Sequence, residues 1–352
     1  MVTSKLRLDR VASSTRNARL GSEVLIGPEI ISEEGRILAV RITSDKAVYN
    51  QVEDPSGRLI RLRAGDVLAG VLGARRALRG YEGEVPEKLA AGDTIEVLNL
   101  GGVLGRCTAG NPDIGPPFSA EVLGAVLTFP RTGDRVGSPA SIREGAIPTA
   151  EGLLIGPPIV AIVGTCMDSG KTVAAGEVIR GLSRAGLKVA GVKLTGVSLR
   201  RDALAMLDAG AVEALTFTDA GVVSTDEKAA LPTAFGLLNE LSRRCRPDVV
   251  VAEYGDGILG EYGVASLLGN QDLVVRIGAI VCCAPDQVGA WGATEVMRSN
   301  FNLTPTVISG PATDNEVGCR FIRQQLGLPA ANARTGDGSL ARVVREALDA
   351  IG

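Results

Sequence analysis

Short hydrophobic runs alternate with glycine-rich breaks in the second half of the chain, from residue 158 onward. These runs predict buried strands at 159–163, 188–193, 248–253, 278–283 and 305–309. The stretches between them have helical period and predict helices, for example at 172–184, 201–209 and 233–244. Because strands that alternate with helices form a parallel sheet covered on both faces, we expect an α/β fold here.

The first half of the chain has a β-rich pattern with many turns. Segments 36–42 and 59–62 alternate as strands do, and two similar stretches, 64–72 and 91–98, both begin with Ala-Gly-Asp. The similar stretches predict paired strands of a small barrel or sandwich. We therefore expect a smaller β-rich domain ahead of the α/β domain.

A length of 352 residues allows two domains. The first nineteen residues hold five Lys or Arg and one Asp without an amphipathic period, which predicts a solvated basic tail. Residues 131–157 are rich in Gly and Pro and are expected to be the linker. The predicted division is a basic tail at 1–21, a β-rich domain at 22–150 and a nucleotide-binding domain at 151–352.

Composition excludes several classes of function. The chain has no histidine, which rules out a His general base or His metal ligand. Aromatic residues make up 3% and the net charge is −3, so neither nucleic acid nor an anionic membrane is an expected partner. None of the six cysteines forms a C-x-x-C pair, and Cys282 and Cys283 are expected in the core. With no signal peptide or membrane span visible, we expect a cytoplasmic protein.

A glycine-bounded loop at 164–172 carries the strongest chemical signal. It follows the predicted strand 159–163 and precedes a predicted helix, which is the context of a phosphate-binding P-loop. Its backbone N–H groups would cradle phosphate, Lys171 would neutralise phosphate charge and Thr172 would bind Mg²⁺. The expected nucleotide-binding residues are Gly164, Thr165, Cys166, Met167, Asp168, Ser169, Gly170, Lys171 and Thr172. Asp168 either orients an attacking group or makes local turn hydrogen bonds.

Three further polar residues stand where predicted strands end or helices begin. Lys193 closes a strand, Asp202 lies in the first turn of a helix, and Glu253 closes the strand 248–253. Each has an ordinary structural alternative: a solvated strand end, a carboxylate that complements the helix dipole, or a surface acid. In this order after a P-loop, however, Asp202 and Glu253 fit as Mg²⁺ ligands and Lys193 as a second cation at the γ-phosphate.

Residues 158–310 resemble dethiobiotin synthetase, a P-loop ATPase family. The resemblance rests on the long Gly-Thr-x-x-x-x-Gly-Lys-Thr loop and on three segments: Lys193-Leu194-Thr195-Gly196, Asp202-Ala203-Leu204 and Glu253-Tyr254-Gly255-Asp256-Gly257. It implies that Lys193 binds substrate and that Asp202 and Glu253 hold Mg²⁺. The family's proline after the lysine is missing, and Tyr254 interrupts its Glu-Gly motif. The fold and nucleotide site are therefore carried over, and the biotin substrate is not.

A second resemblance is to an uncharacterised P-loop family that includes a D-glutamate N-acetyltransferase. It rests on the same loop, on Glu253 and on Leu267-Leu268-Gly269. No Asn-Lys-x-Asp tetrapeptide follows a late strand, which favours ATP over GTP.

The predicted function is ATP- and Mg²⁺-dependent phosphoryl transfer to a small carboxylate, carbamate or hydroxyl, of ligase or kinase type, with Lys171, Lys193 and Asp168 as catalytic residues. The alternatives are a regulatory or assembly NTPase that acts on a partner protein, and an acyltransferase that holds acyl-CoA. The oligomeric state stays open, a homo-oligomer included.

Overall fold

The computed structural model describes residues 3–129 and 136–351. The chain forms two compact units that interleave along the sequence. The β-rich unit comprises Met1–Ile147, Val197–Arg200 and Thr218–Ser224, and the P-loop unit comprises Pro148–Gly196, Arg201–Phe217 and Thr225–Gly352. Two short segments of the second half of the sequence therefore belong to the β-rich unit, which the sequence pattern does not indicate.

Thirteen strands form in the described part of the β-rich unit. They are β1 (Ser4–Arg7), β2 (Arg10–Val11), β3 (Glu23–Gly27), β4 (Ile37–Ile42), β5 (Gln51–Glu53), β6 (Leu59–Arg61), β7 (Val67–Leu72), β8 (Arg75–Arg76), β9 (Tyr81–Glu84), β10 (Thr94–Val97), β11 (Val103–Gly110), β12 (Phe118–Thr128) and β13 (Ser138–Pro139). The pair β5–β6 is separate, and the others join in one sheet.

Five of these strands close into a barrel. Around the ring, β12 pairs with β4, β4 with β7, β7 with β11, β11 with β10, and β10 with β12 again. Alternate residues of each strand face opposite sides, so Leu38 and Val40 join one buried cluster while Ile37 and Ala39 join another. The expected β-rich unit, predicted as a barrel or a sandwich, is confirmed, and its ring of pairs is that of a barrel.

Residues 4–18 are part of the fold, and the predicted solvated tail is wrong. The strand β1 pairs with β3, and Ser13, Ser14 and Thr15 are buried in a 3₁₀ turn. Backbone hydrogen bonds to β3 hold β1 in place, and the polar sequence of this segment does not indicate such pairing.

The two Ala-Gly-Asp stretches form matching turns, although their strands do not pair with each other. Gly65 and Gly92 have φ of 94° and 90°, and Asp66 and Asp93 each accept a hydrogen bond from the backbone three residues earlier. The strands that follow, β7 and β10, lie on either side of β11.

The P-loop unit alternates strands and helices. Its elements are β14 (Ile159–Gly164), α1 (Lys171–Arg184), β15 (Val189–Lys193), α2 (Arg201–Asp208), β16 (Glu213–Thr216), α3 (Glu227–Cys245), β17 (Val249–Glu253), α4 (Val264–Leu268), α5 (Gln271–Val274), β18 (Ile277–Cys283), α6 (Gln287–Phe301), β19 (Val307–Ser309), α7 (Glu316–Phe321) and α8 (Ser339–Asp349). All six strands are parallel, in the order β16-β15-β17-β14-β18-β19.

Helices cover both faces of this parallel sheet. One core joins alternate residues such as Val160 and Ile162 to α1 and α8, while the intervening Ile159 and Ala161 are equally buried on the other side. There α3 contacts β15 and β16, and α6 contacts β18. Because β14 and β17 are neighbours in the middle of the sheet, the loop after β14 and Glu253 at the end of β17 lie at the same edge.

Three details differ from the predicted pattern. Among the described strands β16 pairs with β15 alone, at the edge of the sheet, and because it lacks a long apolar run it was not predicted. Helix α3 begins earlier than expected because Asp226 caps it, accepting from the N–H groups of Lys228 and Ala229. Of the predicted linker, residues 131–135 lie outside the described residues, and Ser138–Pro139 pairs with β12. None of the helices that the structure describes is long and apolar enough to cross a membrane.

Candidate nucleotide-binding site

The loop between β14 and α1 has the backbone of a phosphate cradle. Gly170 precedes α1 with φ of 99°, a value that favours glycine, and the exposed Asp168 has φ of 60°. The first N–H groups of α1 have no partner within the helix and carry its positive dipole end. Anions bind readily at such a helix start.

Lys171 folds back into this loop. Its Nζ donates to the carbonyl oxygen of Cys166 at 2.7 Å and to the Oγ of Ser169 at 3.3 Å, and the residue is only 6% exposed. Burial lowers the pKa of Lys171, and the nearby charge of Glu253 opposes that shift. A phosphate oxygen in the cradle would offer the ammonium a charged acceptor in place of these neutral ones.

Two glycines allow other segments to approach the loop closely. A Cβ at Gly257, which follows β17, would overlap the carbonyl oxygen of Thr165, and a Cβ at Gly310, which follows β19, would overlap that of Ser169. The chain after β17 is also tied to the loop, since the Ile258 N–H donates to the Gly164 carbonyl at 2.9 Å. The contribution of Gly310 was not predicted, because nothing in the sequence links it to the loop.

Four polar residues from four elements meet beside the loop. The Oγ1 of Thr172 donates to the Oε1 of Glu253 at 3.3 Å. The Nζ of Lys193 lies 3.5 Å from the same Oε1 and forms a direct ion pair with the Oδ2 of Asp202. The predicted residues Thr172, Lys193, Asp202 and Glu253 are thus neighbours. Their catalytic and metal-binding roles stay predictions.

The position of this cluster follows from the sheet. Lys193 and Glu253 end adjacent parallel strands and are paired in register, which brings their side chains to one edge. Their side chains are 15% and 3% exposed, and that of Asp202 is 10% exposed. Although burial alone would lower the pKa of Lys193, the carboxylates of Asp202 and Glu253 raise it well above its usual range.

The cluster fits a hard divalent cation. The Oε2 of Glu253 is buried and has no hydrogen-bond partner among the described residues, which is costly for a carboxylate oxygen. A hydroxyl and two carboxylates are the oxygen ligands that Mg²⁺ prefers beside a nucleotide. Thr172, Glu253 and Asp202 would therefore hold Mg²⁺.

Asp256 joins the site without having been predicted as a member. It follows Glu253 with φ of 75°. Burial raises the pKa of its carboxyl, and the charge of Lys171 opposes that shift. Tyr254, two residues before Asp256, is fully buried, and its hydroxyl has no partner among the described residues. The strand-end position of this segment and its place in the Glu253–Gly257 motif were the signals in the sequence.

The cysteines near the loop differ in environment. Cys282 and Cys283 end β18 and are fully buried, and burial raises the pKa of Cys282 to about 12. Both lie in the core, as predicted, where a thiol is inert. Cys166 is partly exposed within the loop.

No family model and no curated protein matches this chain. Among solved structures it is similar to the cell division protein ftsY from Thermotoga maritima, with 14% identity over 58% of this chain and 72% of that one and a TM-score of 0.39. It is also similar to the Signal Recognition Particle 54 kDa protein from Aeropyrum pernix K1 in complex with GDP (20% identity, 55% and 46% covered, TM-score 0.36). A third similarity is to the hydrogenase maturation factor HypB from Archaeoglobus fulgidus (17% identity, 56% and 89% covered, TM-score 0.34).

Similarity at this level carries no argument about function. The parallel sheet and glycine-bounded loop give the second unit a P-loop α/β fold. Within residues 3–129 and 136–351, the fold does not single out dethiobiotin synthetase among P-loop families.

Proposed function

We propose that this chain binds a Mg²⁺–nucleoside triphosphate at loop 164–172, hydrolyses it, and uses the bound and cleaved states as a switch that acts on the β-rich unit. The observation that supports nucleotide binding best is the hydrogen bond between Thr172 and Glu253, beside a Glu253 oxygen with no partner. That pair could hold a divalent cation that neutralises charge on a bound triphosphate.

The loop and the three oxygen-bearing residues of the cluster have separate roles in phosphate and metal binding. The loop N–H groups and Lys171 bind the phosphates, and Thr172 with Glu253 and Asp202 positions the cation. Bound Mg²⁺ would supply neutralisation of charge on the β- and γ-phosphates. Water attacks the γ-phosphorus, the bond to the β–γ bridging oxygen breaks, and its electron pair leaves with the nucleoside diphosphate. Phosphate and a proton are released.

The course of the chain between Lys193 and Asp202 favours a switch over a transferase. Residues 197–200 belong to the β-rich unit, where the Ser198 carbonyl accepts from Asn99 at 2.8 Å and the Arg200 N–H donates to Glu53 at 2.6 Å. The chain then returns to Asp202 in the P-loop unit. A nucleotide that changes the position of Lys193 or Asp202 would therefore displace residues 197–200, which are hydrogen-bonded within the β-rich unit.

Nucleotide binding is tested by calorimetry with Mg²⁺ and slowly hydrolysed analogues of ATP and GTP. ATP is the expected nucleotide because no Asn-Lys-x-Asp segment occurs, and GTP is included as the other common purine triphosphate. The Lys171→Ala variant should bind at least about a hundredfold more weakly, since a charged hydrogen-bond donor to phosphate is lost. The exposed Lys188 provides the control Lys188→Ala. No binding of either nucleotide to the wild-type protein would contradict the proposal.

Phosphoryl transfer to a small carboxylate is the second candidate, favoured by a second buried cation, Lys193, at the carboxyl edge of the sheet. Water enriched in heavy oxygen separates the two. Direct hydrolysis places a solvent oxygen in the released phosphate, whereas transfer followed by ligation places an oxygen of the acceptor there. An acyl-CoA, the ligand of the third alternative, belongs in the same binding screen.

A further inference from the structure

The carboxylates of Asp202 and Glu253 place two negative charges in a buried part of the P-loop unit. Both are almost completely buried, with side chains 10% and 3% exposed. Two like charges removed from water destabilise a fold unless a cation lies between them. Lys193 supplies that cation, since its Nζ contacts an oxygen of each.

The contact with Glu253 places Lys193 in competition with a metal ion. The Oε1 of Glu253 that faces Lys193 is the same oxygen that accepts from Thr172. A divalent cation between Thr172 and Glu253 would lie close to the ammonium, and the two positive charges would repel each other. The triphosphate brings several negative charges, which give the ammonium another partner.

Two glycines, rather than larger residues, lie beside the Lys193 side chain. Glycines line its Cε: a Cβ at Gly255 would lie 2.9 Å from that carbon, and one at Gly196 would lie 3.5 Å from it. A branched residue at either position would fill the space beside the methylene chain. The strand fixes the Lys193 backbone, while its ammonium can reach a different acceptor by rotation of the side chain.

We propose that Lys193 is a built-in counter-ion, which holds the two carboxylates in place of a divalent cation until nucleotide arrives and then transfers its contact to phosphate. The site consequently binds Mg²⁺ together with nucleotide and excludes it otherwise. This inference rests on the proposed nucleotide binding and adds a regulation of the same site.

The test measures Mn²⁺ binding without nucleotide by electron paramagnetic resonance, with Mn²⁺ as the probe for Mg²⁺. Lys193→Met keeps the apolar chain and removes the charge, and it should bind Mn²⁺ at least about tenfold more tightly than the wild type does, the effect of relieving one close charge repulsion. Lys193→Arg keeps the charge and should stay weak. The matched control is Lys188→Met, at the exposed residue just before β15, which should bind Mn²⁺ as the wild type does.

Equal Mn²⁺ affinity in Lys193→Met and the wild type would overturn the inference. Tight Mn²⁺ binding by the wild type in the absence of nucleotide would overturn it as well. If Lys193→Met does not fold, amine labelling of the wild type tests whether Lys193 changes partner when nucleotide binds. Labelling of Lys193 should change when Mg²⁺ and a slowly hydrolysed triphosphate are added together, and that of Lys188 should not. Wild-type nucleotide binding is measured in the same series, so its absence identifies failure of the proposed function.

Discussion

Asp202 and Glu253 are both buried acids at one site, but their contacts differ. Glu253 accepts from Thr172 and also faces Lys193, whereas the side-chain contact that the structure shows for Asp202 is with Lys193. Glu253 is therefore expected to be the stronger ligand of the cation, and Asp202 to be a weaker ligand that also orients the lysine. The two residues are not interchangeable in the proposed mechanism.

We expect Glu253→Gln to reduce turnover by about a hundredfold, the scale of losing one electrostatic stabiliser, and to raise the Mg²⁺ concentration needed for half-maximal turnover. Asp202→Asn should reduce turnover with a smaller change in Mg²⁺ requirement, because the Thr172–Glu253 pair remains. Turnover measured across a Mg²⁺ series separates the two effects.

Asp208→Asn, at the exposed end of the same helix α2, controls for a change of charge and should have no effect. If Asp202→Asn and Glu253→Gln raised the Mg²⁺ requirement equally, the distinction between the two acids would be wrong.

The sequence predicted which residues would meet at this edge but not how they would bond. Lys193 and Glu253 follow apolar runs, and parallel strands end at one edge, so their proximity follows from local pattern. That Lys193 bonds both carboxylates depends on side-chain geometry across β15, β17 and α2. No spacing along one element carries that information, and Gly310 joins the loop only through the sheet order.

At the scale of elements, α1 shows how glycine sets the packing of the P-loop unit. Gly181 faces α8, where an added Cβ would overlap the Cβ of Ala341, whereas the nearest atom to a Cβ at Gly176 would be 3.9 Å away, on Ala209. One glycine permits close approach of two helices, and the other leaves ordinary contact distance. The same substitution should therefore have opposite effects at the two positions.

We expect Gly181→Ala to lower the free energy of unfolding by about 1–3 kcal/mol, the cost of overpacking, because α8 has to shift. Gly176→Ala should raise it by about 0.5–1 kcal/mol, since alanine restricts the unfolded chain and favours the helix. Urea unfolding of both variants measures the difference. Destabilisation of the same size at both positions would show that close packing is not the cause.

Element boundaries could be predicted where apolar runs were long. They could not be predicted where a strand is held mainly by backbone pairing with a neighbour. The buried strands β14, β17 and β18 lie within a residue or two of the predicted ranges because both faces are apolar. The short strand β1 is mostly exposed, so its order comes from backbone pairing with β3 and leaves no hydrophobic signature.

At the scale of the whole molecule, the interleaving of the two units is the feature that sequence pattern could not reveal. Residues 197–200 and 218–224 are short, irregular and polar enough to be surface loops of an α/β domain. Their membership of the β-rich unit depends on contacts with residues far away in sequence, such as the bonds from the Val223 and Ser224 N–H groups to Glu34, both 3.3 Å. A division at one linker therefore describes the chain incompletely.

The interleaving leads to a prediction for a fragment that begins at Pro148, the start of the P-loop unit. All of loop 164–172 and Glu253 are retained, so nucleotide should still bind with an affinity close to that of the full chain. Residues 197–200, between Lys193 and Asp202, would lose Asn99 and Glu53 as hydrogen-bond partners. Turnover should then fall by about a hundredfold, the effect of misplacing a positioning group.

Calorimetry and phosphate release on the folded fragment measure the two quantities separately, with circular dichroism to verify folding. The full-chain variant Asn99→Ala removes one anchor of the segment and leaves the β-rich unit in place, so it should lower turnover in the same direction by less. Full turnover in the fragment would mean that the anchored segment does not act on the site, and the switch would lose its physical basis. Loss of nucleotide binding in a folded fragment would mean instead that the β-rich unit supports the nucleotide site itself.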